Sequence, residues 1–132
     1  MKVERILETC LYVEDLAAAV SFYQDVLGLE LVDREEDHFA FFRCRDAVFL
    51  LFVPSWASME IRDVPAHGSL GSGHVAFRID LNEVDAWRQA LRQGGISIEK
   101  EIAWPGGGFS VYFRDPAGNS VELATPEIWG LK

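Results

Sequence analysis

Basic residues, cysteines and long apolar runs are all scarce in this chain of 132 residues. Twelve Lys and Arg stand against 21 Asp and Glu, which gives a formal net charge of −9. This charge argues against nucleic acids and anionic membrane surfaces as partners, because both are bound through basic patches. No apolar run approaches the roughly 20 residues that a membrane-spanning helix needs. The charge instead favours a small molecule as the partner.

The two cysteines, Cys10 and Cys44, form no CxxC pair and are too few for a disulfide framework. The opening residues, MKVER, contain no apolar segment of a signal peptide. We therefore expect a reduced, cytoplasmic protein. A hydrophobic content of 49% and a charged content of 25% are ordinary for a globular domain with its own core.

The chain consists of two halves with the same order of predicted elements. In the first half, the alternation of apolar and polar residues predicts a strand. Apolar residues at helical spacing from Leu16 to Leu27 then predict a helix, with Asp15 as its N-cap and Gly28 at its end, and three more strands follow. The predicted strands cover residues 5–13, 29–34, 38–43 and 47–53, and in the second half 72–80, 96–102, 109–114 and 119–124. A helical stripe of Val84, Trp87 and Leu91 ends at Gly94 and Gly95.

This pattern predicts an α+β fold of two βαβββ modules within a single domain spanning residues 1–132. Module one covers about 4–53 and module two about 72–125. A Pro- and Gly-containing linker, residues 54–71, joins them, and residues 126–132 form a C-terminal tail.

Three polar residues stand out because each lies inside an apolar, alternating strand. Glu8 and His74 occupy matching positions in the first strand of each half, and Glu122 lies in the last strand. Such groups are costly to bury without a partner. Strand alternation puts all three on the face away from the helices, while Leu7, Thr9, Leu11 and Val13 are predicted to face the helix of module one. One imidazole and two carboxylates suit Zn²⁺, Mn²⁺, Fe²⁺, Co²⁺ or Ni²⁺.

Three segments carry a resemblance to a known family. The opening LETCLYVEDLAAAVSFYQDVLGLEL, the strand GHVAFRI and the closing YFRDPAGNSVELATP resemble the vicinal oxygen chelate superfamily of glyoxalases, bleomycin-resistance proteins, thiol transferases and dioxygenases. The resemblance covers about residues 5–125 and implies the glyoxalase-like open-barrel fold. It also implies that Glu8, His74 and Glu122 are metal ligands and that the protein is a homodimer. In that dimer, Glu8 of one subunit would meet His74 and Glu122 of the other.

Two departures from the family pattern narrow the activity that the resemblance implies. Glu8 stands where many members have His, which argues against an extradiol dioxygenase, because those enzymes use two His and one carboxylate. Leu50 stands where glyoxalase I supplies a further carboxylate, which argues against a four-ligand glyoxalase I.

The leading functional hypothesis is therefore a small metal-dependent enzyme of the lyase or isomerase type. The ion would chelate vicinal oxygens of a small substrate and stabilise an oxyanion, with Glu8 and Glu122 as catalytic residues and Glu8 moving a proton. The alternative is a metal-free sequestration protein of the bleomycin-resistance type, favoured by the apolar region around Leu50 and Trp56. A regulatory or assembly module is a third hypothesis. The substrate, the metal and any thiol co-substrate stay open.

Further polar and aromatic residues are candidate substrate contacts. Arg78 shares the predicted face of His74 and would bind a substrate carboxylate or neutralise Glu122. Arg114 is another possible ion-pair partner of Glu122. Tyr12 and Tyr112 would line the site, together with Leu50 and Trp56, or belong to the core.

The two remaining histidines lie outside the predicted strands. His38 follows a run of acidic residues and is predicted to be solvated. His67 lies in the linker, where a substrate or metal contact is an open alternative to a purely structural position.

Overall fold

A computed structural model describes all 132 residues and divides them into two compact units, residues 1–71 and 72–132. That the two units form one domain stays a prediction. Each unit contains one four-stranded sheet. The strands of the first are β1 (Glu8–Tyr12), β2 (Glu30–Glu35), β3 (Phe39–Cys44) and β4 (Ala47–Phe52). Those of the second are β5 (His74–Arg78), β6 (Lys100–Ala103), β7 (Phe109–Arg114) and β8 (Ser120–Ala124).

The two sheets have the same topology. Their strand orders are β1-β4-β3-β2 and β5-β8-β7-β6, and both sheets are open. In each unit the first strand pairs with the last in parallel, and the other neighbours pair antiparallel. The predicted α+β repeat is therefore confirmed. Because a parallel pair needs a crossover, the helix of each unit is placed between its first two strands in sequence and covers one face.

The first helix begins where the sequence predicts. α1 (Leu16–Ser21) is capped by Asp15, whose Oδ1 accepts a hydrogen bond from the backbone N–H of Ala18 at 3.0 Å. It continues as one π-helical turn, Phe22–Val26, and Gly28 follows at φ 70°. Only the wider turn differs from the predicted α-helix. Within it, the fully buried Tyr23 packs against Phe49 and Phe42, with ring centroids 4.9 and 6.1 Å apart.

The helix covers only the C-terminal part of β1, which corrects the predicted burial of that strand. Leu11 and Val13 are buried, whereas Leu7 is 71% exposed and Thr9 is also exposed. Leu7 precedes the first paired residue of the ladder, which joins Glu8 to Val48. Alternation assigned the correct face, but a helix that begins at Leu16 does not cover the start of the strand.

Two further boundaries differ from the prediction. The linker contains a short helix, α2 (Pro54–Ala57), which begins at Pro54 because proline is already suited to the first helical turn. In the second unit, α3 (Val84–Gln93) follows a 3₁₀ turn, Leu81–Glu83. The strand predicted from residue 96 begins only at Lys100, because the backbone N–H of Ile96 closes the helix by donating to Leu91 O at 2.8 Å.

No helix has the length and apolar character that crossing a bilayer requires.

The hairpin between β6 and β7 supports the last short helix. The 3₁₀ helix Pro126–Trp129 lies against Gly108, where an added Cβ would come within 2.6 Å of both the backbone nitrogen and Cγ2 of Ile128. Gly107 also has a positive φ, but nothing lies within 4 Å of its Cβ position. The two glycines thus differ in packing while sharing a left-handed backbone.

We expect Gly108→Ala to lower the free energy of unfolding by about 1–3 kcal/mol more than Gly107→Ala. Both variants carry the strain of a non-glycine residue at positive φ, of about 1–3 kcal/mol. Only Gly108→Ala also pushes the Pro126–Trp129 turn away from the hairpin. Urea titrations of the two purified variants measure the difference, and equal losses would contradict this packing.

Candidate metal centre

His74 and Glu122 form a close pair on the second sheet. Nε2 of His74 lies 3.3 Å from Oε2 of Glu122. His74 begins β5 and Glu122 lies in the middle of the adjacent parallel strand β8, where Glu122 is paired with Ala76. The two side chains emerge on the same face because their strands share an alternation register. That face is the one turned away from α3, as predicted.

The orientation of the His74 ring is set by a backbone contact. Its Nδ1 lies 3.1 Å from the carbonyl oxygen of Ser120, which can only accept, so Nδ1 carries the proton and donates. Nε2 then turns towards Glu122, either as a lone-pair donor to a cation or as the second N–H of an imidazolium. A metal-binding histidine is commonly held by such a contact from its other ring nitrogen.

Glu122 is a buried carboxylate, only 6% exposed, whereas half of the His74 side chain is accessible. A buried carboxylate needs compensating partners. Tyr112 lies directly across the antiparallel ladder, and its hydroxyl donates a hydrogen bond to Glu122. Burial first, and then this hydrogen bond, raise the pKa of Tyr112 above its ordinary value. The Tyr112 ring also lies nearly parallel to His74, with centroids 6.5 Å apart.

A tight turn holds the start of β5 beside β8. Oδ1 of Asp115 accepts hydrogen bonds from the backbone N–H groups of Ala117 and Asn119, at 3.0 and 2.8 Å. Oδ1 of Asn119 in turn accepts from the backbone N–H of Gly73 at 2.7 Å. Gly73 immediately precedes His74, so the turn before Glu122 also locates His74.

The chemistry of this pair fits a divalent ion. Two donors about 2.0–2.1 Å from one tetrahedral centre lie about 3.3 Å apart, which is the separation of the two side chains. A charge-assisted hydrogen bond from an imidazolium to a carboxylate is normally shorter, about 2.7–2.9 Å. The separation therefore fits two ligands of one ion better than a direct hydrogen bond, and the contact between Nδ1 and Ser120 matches the pattern of a ligating imidazole.

The structure brings together two of the three predicted ligands. Glu8 begins β1 in the first unit and is exposed, on the face away from α1. No group of three or more His, Cys, Asp or Glu side chains lies within reach of a single metal ion. The role of Glu8 as a third ligand stays a prediction.

The pairing registers show which residue of the first unit corresponds to Glu122. Glu8 is the first paired residue of β1, and His74 is the first paired residue of β5. Two positions further along, Cys10 pairs with Leu50 in the first unit, and Ala76 pairs with Glu122 in the second. Leu50 thus takes the position in β4 that Glu122 takes in β8. The structural equivalence agrees with the sequence interpretation that module one lacks a carboxylate at this position.

The ion-pair alternatives for Glu122 are wrong. Arg114 pairs with Glu99, its Nε lying 3.0 Å from Oε2. Arg78 donates from Nη1 to the backbone oxygen of Lys132 at 3.0 Å and lies 3.9 Å from Asp80. Neither arginine contacts Glu122, because each side chain finds its partner in an adjacent loop or strand. Substrate binding by Arg78 stays a prediction.

The corresponding face of the first sheet is aromatic. Leu50 and Phe52 are buried there, and a second layer packs against them; it consists of Cys10, Tyr12, Phe39, Phe41, Val48 and Trp56. Ladder pairing puts Tyr12 beside Phe52 and therefore on the same face as Glu8. Tyr12, Leu50 and Trp56 thus lie in one hydrophobic cluster, and their role in substrate binding stays a prediction.

Tyr12 and His67 are hydrogen-bonded to each other, a pairing that the sequence did not predict. The hydroxyl of Tyr12 lies 2.6 Å from Nδ1 of His67. The ring of His67 also meets the edge of Phe52, with centroids 4.7 Å apart. Burial, followed by a hydrogen bond and a charge interaction with Cys10, raises the pKa of Tyr12 to about 12.

Trp56 contacts two polar side chains, His38 and Arg62, and no sequence signal indicated the contact with Arg62. The ring of His38 stacks on it at 4.8 Å, and the guanidinium of Arg62 lies 4.0 Å from its centroid. His38 is therefore stacked as well as hydrogen-bonded to Glu35 at 2.7 Å, and not simply solvated. Arg62 has no periodic relation to Trp56, so no strand or helix pattern could have revealed the contact.

The raised pKa of Tyr12 predicts an alkaline effect on stability. Because the folded value lies above that of a free tyrosine, near 10, the protonated phenol stabilises the fold below pH 10. This contribution is lost as the pH rises through about 12. We expect Tyr12→Phe to be less stable than the parent protein at pH 8, with a gap that narrows between pH 10 and 12. Denaturant titrations across this range measure the gap, and parallel pH profiles would contradict the assignment.

Comparison with known proteins agrees with the fold described above. A family model described as the Glyoxalase/Bleomycin resistance protein/Dioxygenase superfamily matches residues 5–123. A crystal structure of lactoylglutathione lyase from Agrobacterium tumefaciens superposes with a TM-score of 0.95 at 42% identity, covering 99% of this chain and 100% of that one.

Two relatives carry different activities in their names. Lactoylglutathione lyase from Haemophilus influenzae is 31% identical, over 90% of this chain and 90% of that protein. The metallothiol transferase FosB from Staphylococcus epidermidis is 27% identical, over 95% of this chain and 84% of that protein. With a family model covering most of its length, this chain belongs to the Glyoxalase/Bleomycin resistance protein/Dioxygenase superfamily.

Proposed function

We propose that this protein is a metal-dependent enzyme in which Glu8, His74 and Glu122 hold a divalent ion. The observation that carries the proposal is the His74–Glu122 pair, with an imidazole oriented by Ser120 and a carboxylate supported by Tyr112. Relatives named lactoylglutathione lyase and metallothiol transferase support this chemistry. When bound, the ion supplies Lewis-acid stabilisation of an anion on the substrate.

The protein groups have separable roles in this proposal. His74 keeps Nε2 available because its Nδ1 proton is committed to Ser120. Glu122 is held in place by Tyr112, which limits its freedom to act as a mobile base. Glu8 is exposed and is therefore the carboxylate that we assign to proton transfer. We propose a lyase or isomerase reaction on a small substrate, with thiol transfer as the neighbouring alternative.

Two activities of the family, that of an extradiol dioxygenase and that of a four-ligand glyoxalase I, fit this set of metal ligands less well. One imidazole and two carboxylates do not make the two-His, one-carboxylate set of iron oxygenases. Leu50, at the position equivalent to Glu122, leaves the first unit without a carboxylate for a fourth protein ligand. Three protein ligands still leave open positions for substrate oxygens, as a catalytic site requires.

A metal-free binding protein is the second candidate function. The aromatic face of the first sheet, with Tyr12, Phe52 and Trp56, favours it, because apolar and aromatic walls are typical of small-molecule sites. Metal content after dialysis separates the two functions. An enzyme of the proposed type retains an ion during dialysis, and after a chelator has removed that ion its activity returns when the ion is added back. A sequestration protein binds its ligand equally well before and after chelation.

We expect His74→Ala to lower the retained metal from about one ion per chain to less than about a tenth of that, because one of three ligands is lost. Elemental analysis after dialysis measures the content, and circular dichroism checks the fold. His38→Ala is the matched control, since His38 stacks on Trp56 and takes no part in the proposed centre. Full metal retention in His74→Ala would refute the ligand assignment.

The sharing of the site between two subunits has its own test. Glu8→Ala and His74→Ala chains, carrying different affinity tags, are produced together and the mixed dimer is purified through both tags. If Glu8 comes from the opposite subunit, one site carries both substitutions and the other is intact, so we expect about one ion per mixed dimer. A site within one chain would leave both centres damaged and the mixed dimer without metal.

A further inference from the structure

A cavity in the first unit uses none of the proposed metal ligands. It has a volume of about 670 Å³ and lies between α2 and the loop at residues 66–70. Its walls include Glu14, Ser55, Ser58, His67 and Leu70. The volume lies within the range of roughly 300–1,000 Å³ that is typical of sites for small organic molecules.

The loop beside this cavity is anchored through His67. The backbone N–H of His67 donates to Ala57 O at 3.0 Å, its ring nitrogen meets the Tyr12 hydroxyl at 2.6 Å, and its ring packs against Phe52. Arg62 donates from Nη1 to the same carbonyl of Ala57 at 2.9 Å. A loop held in this way gives a preformed cavity, which spares a ligand the cost of ordering it.

The lining groups point to the kind of molecule that would fit. Glu14 is the one carboxylate in the lining, no Lys or Arg is present, and serine hydroxyls supply neutral polar contacts. The whole chain carries a net charge of −9, which adds to the negative potential. Anions are therefore disfavoured. Leu70 is 92% exposed, which leaves an apolar side chain for a ligand to cover.

We propose that this cavity is a second small-molecule site, which takes a compact molecule with an apolar body and a cationic end. Glu14 faces the positive charge, Leu70 and the wall of α2 contact the apolar body, and His67 is the imidazole that reports on occupancy. The site lies wholly within residues 14–70, and none of the proposed metal ligands lines it.

Three probes of matched shape and different charge test the proposal: benzylamine, benzyl alcohol and benzoate. Each is titrated into the protein at neutral pH while the histidine ring signals are followed by NMR, with His67→Gln assigning the His67 signal. We expect benzylamine, which is protonated at this pH, to shift the His67 signal at the lowest concentration, followed by benzyl alcohol. Benzoate should be the weakest. Absence of a His67 shift with all three probes, or equal affinity for benzoate and benzylamine, overturns the proposal.

Charge variants identify the group that selects the cation. Glu14→Gln should weaken benzylamine binding two- to fivefold, the range expected for one accessible charge pair, and leave benzyl alcohol unchanged. Glu60→Gln removes the same charge outside the cavity lining and should have no effect. An unchanged preference in Glu14→Gln overturns the role given to Glu14. Repeating the titration in His74→Ala separates the two sites, because cavity binding should persist after loss of the proposed metal centre.

Discussion

The parallel pairing between the first and last strand of each unit is the constraint on which the rest of the structure depends. It joins β1 to β4 and β5 to β8, and the helix and the two middle strands of each unit form the connection between the paired strands. A shift of one residue would turn every side chain of a strand to the opposite face. The registers therefore decide both which residues fill the core and which residues lie opposite the helices.

The same topology has different consequences in the two units. In the second unit the last strand carries Glu122, a buried carboxylate that is compensated by Tyr112 and His74. In the first unit the equivalent position is Leu50, and the surrounding face is aromatic. The repeat thus supplies one polar face with ligand chemistry and one apolar face with a single carboxylate, Glu8, at its end.

The linker, residues 54–71, contains structure of its own and contacts the first sheet. Its α2 helix and His67 line a cavity. His67 and Arg62 also contact Tyr12 and Trp56 of the aromatic face. Tyr12 thereby belongs to two environments, since it shares a sheet face with Glu8 and is hydrogen-bonded to His67.

Local sequence signals predicted the repeated elements well, because they depend on short-range physics. Alternation identified the strands, Asp15 and Gly28 the ends of the first helix, and matching repeat positions the equivalence of Leu50 and Glu122. Failures occurred where a long-range contact decided the outcome. Leu7 alternates correctly but lies beyond the cover of α1, and the arginines suggested for Glu122 pair elsewhere.

The sequence by itself determined the α+β repeat and the family. It also determined on which face of its own sheet each of Glu8, His74 and Glu122 lies. Only the tertiary structure decided which polar groups meet. The Ser120 carbonyl orients His74, Tyr112 compensates Glu122, and Tyr12 meets a histidine 55 positions away in the chain. The physical reason is that alternation fixes the side of a sheet on which a residue lies. Hydrogen bonds between distant segments depend instead on strand order and on loop paths, which no local pattern encodes.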